Sequence, residues 1–67
     1  MTTNRTITRE TLTRYADALG PGSIAFDALK YVQAQRVLGF TVEIVMKNNG
    51  FIVFTTRDCQ GIAKHFG

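Results

Sequence analysis

Apolar and polar residues alternate over residues 40–47, where Phe40, Val42, Ile44 and Met46 are separated by Thr41, Glu43, Val45 and Lys47. A period of two is that of a strand with one buried face. Asn48-Asn49-Gly50 interrupts the pattern, and Phe51-Ile52-Val53-Phe54 follows as a β-branched and aromatic run. Two such runs around an Asn-Gly pair predict a β-hairpin. Two loops compete for it. A two-residue Asn49-Gly50 turn pairs Met46 with Val53 and splits the apolar residues between the faces. A three-residue loop over residues 48–50 pairs Lys47 with Phe51, Met46 with Ile52 and Ile44 with Phe54. One face then reads Phe40, Val42, Ile44, Met46, Ile52 and Phe54, free of charge, so burial favours the second register.

Upstream the period lengthens to that of a helix. Leu12, Tyr15, Ala16 and Leu19 recur at i, i+3, i+4 and i+7, with Thr8 as N-cap and Ile7 and Leu12 placed as a hydrophobic staple. Gly20 and Pro21 close the segment, which predicts a helix over about 9–19. Ser23 caps a second helix running to Gly39. On it Ala25, Ala28, Leu29 and Val32 share one side, Ile24 and Tyr31 flank them, and Lys30 and Gln33 point away. Its wide apolar arc suits a central helix touching both the first helix and the sheet, with Arg36 near the edge of that arc in the last turn. After the hairpin, Cys59, Ile62, Ala63 and Phe66 fit one face of a short C-terminal helix capped by Thr56 or Asp58 and weakened by Gly61.

The expected fold is α+β, a small single compact domain over 1–67 with 1–6 frayed. Its order is α-α-β-β-α: two N-terminal helices packed on a two-stranded antiparallel hairpin, then a short helix. The second hairpin face (Thr41, Glu43, Val45, Lys47, Phe51, Val53, Thr55) keeps three apolar residues. It calls for a cover: the C-terminal helix, a second copy or a foreign partner.

Length sharpens that demand. A chain of 67 residues buries only about 60% of its extended surface, so a partner or self-association adds needed stability. With 45% apolar and 19% charged residues the composition is globular. No apolar run approaches the roughly 20 residues that span a bilayer, and the start lacks an apolar leader, so no membrane partner is expected. A cytoplasmic protein with one free thiol is the simplest reading. The net charge of +3 favours acidic partners by its sign, though its size is ordinary.

The chemistry is sparse. Cys59 and His65 are the only Cys and His. On one helix their six-residue spacing turns them about 240° apart, out of nucleophile–base reach. Glu10, Asp17, Asp27, Glu43 and Asp58 form no local pair, and the glycines follow no phosphate-loop pattern. The chain reads as non-enzymatic, with no catalytic residue, cofactor or metal.

Helix, tight turn, helix, strand and hairpin over residues 8–56 resemble in element order the core of a winged helix-turn-helix. That resemblance implies a nucleic-acid surface of Lys30, Gln33 and Arg36 with Lys47 and Asn48 at the wing tip. The competing reading is recognition of a protein or nucleoprotein through the apolar residues left after core assignment. These are Tyr31, Val37 and Leu38 on the second helix and Val45, Phe51 and Val53 on the sheet; a homodimer seam would use the same set. In size and plainness the chain is similar to small phage- or mobile-element-encoded regulators and inhibitors, including anti-CRISPR proteins. Such a likeness implies regulation or inhibition of a partner by surface occlusion.

Overall fold

A computed structural model of the protein describes residues 5–56 and 63–67. Both expected helices are present. The first, α1 (Arg9–Leu19), starts where the Thr8 side chain accepts the Thr11 N–H. It stops at Gly20, whose φ of 82° turns the chain while its N–H donates to Ala16. The second, α2 (Ile24–Val37), is capped by Ser23, whose hydroxyl donates to the Gly20 carbonyl and accepts the Phe26 N–H. Ser23 thus ties the end of one helix to the start of the next, and the two pack side by side.

Among the described residues the sheet has four strands, two more than the alternation predicts. β1 (Arg5–Ile7) precedes α1, β2 (Val42–Lys47) and β3 (Gly50–Thr55) form the hairpin, and β4 (Lys64–Phe66) ends the chain. All neighbours are antiparallel in the order β1-β2-β3-β4. The fold is α+β, but the order is β-α-α-β-β-β. Two expectations are corrected here. Residues 5 and 6, expected to fray with the rest of 1–6, belong to a strand, because Arg5 and Thr6 pair with Met46 and Val45 at the free edge of β2. Residues 64–66 do not close a helix. The edge of β3 takes them as a strand, with Phe66 opposite Phe51. Cys59 and Ile62 lie outside the described residues.

The hairpin register is also corrected. Lys47 pairs with Gly50 across a two-residue Asn48-Asn49 loop, so Met46 faces Phe51, Ile44 faces Val53 and Val42 faces Thr55. Neither asparagine has a positive φ, so this is not the mirror-image turn that an Asn-Gly pair favours. Val42, Ile44 and Met46 lie on the helix side as expected. On β3 the faces are the reverse of those expected: Phe51, Val53 and Thr55 are buried, while Ile52 and Phe54 turn away from the helices.

Gly50 belongs to the strand for a steric reason. A Cβ built on it falls on the carbonyl oxygen of Phe66, so only glycine lets the end of β4 lie against the start of β3.

The core joins Leu12 and Ala16 of α1 to Ala25, Ala28, Leu29 and Val32 of α2, and both to Ile44, Phe51 and Val53 of the sheet. Two tilted ring pairs fasten the layers: Tyr15 on Phe51 at 6.3 Å and Tyr31 on Phe66 at 5.6 Å between centroids. Gln35 continues the buried stripe of α2 at 5% exposure, and its side-chain oxygen has no hydrogen-bond partner. An orphaned buried amide of this kind costs about 1–3 kcal/mol.

Candidate functional site

Because a strand alternates its side chains, the register that buries Phe51 and Val53 sends Ile52 and Phe54 to the outer face of the sheet. Directly opposed residues share a face, so the pairings place Thr6, Val45, Ile52 and His65 in one row across all four strands. Phe54 sits opposite Glu43 in a second row, and Lys47 opposite Gly50 in a third. Val45 and Ile52 are half-buried by their own neighbours, and Phe54 is 37% exposed. The arrangement is an apolar centre of Val45, Ile52 and Phe54 inside a rim of Thr6, Glu43, Lys47 and His65. Depletion of charge at the centre with a polar rim is the anatomy of a protein-binding patch.

α2 packs directly on the opposite side of the sheet, and α1 packs along α2 and reaches the sheet through Tyr15 on Phe51. The molecule is a slab of 30 × 30 × 17 Å, and one of its broad sides is this outer sheet face. A side of those dimensions matches the roughly 800 Å² that each partner contributes to a standard interface. The sheet edges are less inviting. β1 and β4 have three residues each, and short edge strands offer little backbone for strand addition.

The residues expected from sequence to meet a protein partner are dispersed. Val45 is on the outer face. Val37 and Leu38 are 86% and 62% exposed and belong to a separate patch, a shallow recess of about 520 Å³ shared with Lys30, Gln33 and Ala34. Tyr31 is half-buried on Phe66. Phe51 and Val53 are corrected: both are core, at 7% and 0% exposure, and neither is available to a partner. Ile52, Phe54, Thr6 and His65, which the sequence does not single out, share the outer face with Val45. Both faces of Phe51-Ile52-Val53-Phe54 are apolar, so the pattern alone does not choose between them. The available signal was Gly50 read as a strand residue and residues 64–66 read as a β4 that demands its close approach.

The nucleic-acid set is likewise not gathered on one surface. Lys30 and Gln33 are exposed on the helical side, while Lys47 points to the outer sheet face at the far end of β2. From Val42 to Lys47 the strand carries the chain about 16 Å at 3.3 Å per residue. Asn48 lies in the hairpin turn, and Arg36 lines a cleft at the end of α2. The chain also continues past the expected wing into β4, and β1 precedes the first helix, so the winged order is embedded in a four-stranded sheet.

His65, expected in a helical turn, is on β4 opposite Ile52, and Cys59 lies outside the described residues. Among the described residues, no three of His, Cys, Asp and Glu come together to hold a metal ion. None of the helices described is long and apolar enough to cross a membrane. Compared with models of protein families, with curated proteins and with solved structures, the chain matches none of them.

Proposed function

We propose that this is a small non-enzymatic binding protein that regulates or inhibits a partner protein, alone or within a nucleoprotein complex, by covering part of its surface. The contact surface in this reading is the outer sheet face. The observation that supports it is the one-sided packing: two helices cover one side of the sheet, and Val45, Ile52 and Phe54 remain on the other inside a polar rim. Phe54 is the anchor, since it is the large aromatic side chain exposed on this face and aromatic residues dominate the energetics of such contacts.

The test uses the tagged protein as bait in nuclease-treated lysate, beside Phe54→Lys and a Val37→Ser/Leu38→Ser control on the helical side. Lysine at 54 stands opposite Glu43 and keeps the sheet folded through an opposite-charge pair. The expected result is a stoichiometric protein partner held by the wild type and the control, with affinity lowered at least roughly tenfold in Phe54→Lys. A partner held equally by Phe54→Lys would refute the assignment. So would a dimer in light scattering that the same variant dissociates, which would make this face a seam between copies.

A further inference from the structure

A separate recess lies at the point where two chain junctions meet. β1 passes into α1 through Thr8 alone, and α2 passes into β2 through residues 38–41. Pairing of β1 with β2 sets these connections side by side. On the α2 side the Gly39 N–H donates to the Arg36 carbonyl and the Phe40 N–H to the Gln35 carbonyl, fixing the turn. Between the junctions opens a cleft of about 480 Å³, within the range of small-molecule sites.

Its floor is apolar, made by Val32 and Ile44 of the core, with Ile7, Phe40 and Val42 around it. Its polar groups are Arg9, Arg36 and the threonines 8 and 41. Arg9 is the first residue of α1 and Arg36 lies in the last turn of α2, so helix packing brings together two cations far apart in sequence. The same pair also lines an adjoining recess with Gln33 and Val37. Among the described residues neither guanidinium has a carboxylate partner. Two positive charges lining one recess repel each other, and an anion between them relieves that repulsion. The N-terminus of α1 contributes a further positive partial charge to the same wall.

We infer that this cleft binds a phosphate monoester with an apolar or aromatic body. Charge selects the head group. A doubly charged terminal phosphate offers oxygens to both guanidinium forks and balances both charges, whereas a carboxylate or a phosphodiester leaves one uncompensated. Shape selects the body: the ring of Phe40 and the aliphatic side chains of Ile7 and Val42 form a wall that a flat or apolar group covers. The site is separate from the outer sheet face and stands or falls independently of it.

Phenyl phosphate is the probe, titrated into the full chain at low salt and followed by calorimetry and amide NMR shifts. The expected result is saturable binding of one equivalent, with shifts concentrated at residues 7–9 and 36–42. Arg9→Gln and Arg36→Gln are expected each to weaken it roughly tenfold without changing the melting temperature, because both side chains are exposed. Inorganic phosphate, which lacks the body, is expected to bind more weakly, and Phe54→Lys to bind the probe like the wild type. The inference is overturned if phenyl phosphate does not saturate, or if both arginine variants bind it unchanged. It is also overturned if an oligonucleotide without a terminal phosphate binds more tightly than the probe in an arginine-dependent way, which would make the cleft a nucleic-acid backbone contact.

Discussion

Phe51→Lys is expected to unfold the protein at room temperature, whereas Phe54→Lys, three residues further along the same strand, is expected to leave it folded. The residue types are identical, so the contrast isolates the face. Phe51 is 7% exposed, lies between Met46 and Phe66 in the sheet and packs under Tyr15. Removing a buried phenylalanine ring costs about 3–5 kcal/mol, and a desolvated ammonium adds to that. A domain this small has about 3–5 kcal/mol of stability in all, so the loss exceeds what is available. Phe54 gives up only a partly exposed ring and gains an opposite charge across the strand at Glu43, leaving a change of about 1 kcal/mol or less. Circular dichroism with urea titration of both variants measures the difference. A folded Phe51→Lys with an unfolded Phe54→Lys would restore the register with Phe54 in the core.

Gly50→Ala has the next largest expected effect. At most positions an added methyl group finds a flexible side chain that yields. Here it meets backbone, the carbonyl of Phe66, and backbone held in a ladder moves only if the ladder opens. β4 must therefore shift or detach, and with it go the pairings of Phe66 with Phe51 and His65 with Ile52 and the contact of Phe66 with Tyr31. Overpacking of this kind costs about 1–3 kcal/mol. For a 60–100-residue domain each kcal/mol lowers the melting temperature by about 4–8 °C. Amide exchange should report the cause, with residues 64–66 losing protection before the rest of the sheet. An unchanged melting curve with residues 64–66 still protected would show that β4 does not depend on close approach at Gly50.

What was legible in the sequence follows from which signals were local. Thr8, Ser23, Gly20 and the i, i+3, i+4 stripes act within one or two turns, and the two helices lie where those signals place them. The inward face of β2 was equally readable, because Glu43 and Lys47 mark the side that cannot be buried. β3 carries no charge to mark a side. Its facing is decided by partners distant in sequence, namely Phe66 across the strand and Tyr15 on α1. The short strands were hidden for a related reason. Three residues such as Arg5-Thr6-Ile7 or Lys64-His65-Phe66 are too few to show a period, and they become strands because β2 and β3 offer open edges. The outer face inherited the register error, which is why Val45 was found while Ile52 and Phe54 were not. The cleft between Arg9 and Arg36 is a purely tertiary feature, since no spacing along the chain announces that the two arginines converge.

The account rests on the outer sheet face being open while the inner one is closed, and thiol labelling of adjacent positions measures that directly. In a Cys59→Ser background, Ile52→Cys and Val53→Cys are close to conservative and differ by one residue along β3. The thiol at 52, half-buried, is expected to react with a soluble maleimide from the folded state, within roughly tenfold of an unfolded peptide, and the thiol at 53, at a position with 0% exposure, at least roughly a hundredfold more slowly than that at 52, because it must wait for the sheet to open. The reverse order, or equal protection at both positions, would contradict the account.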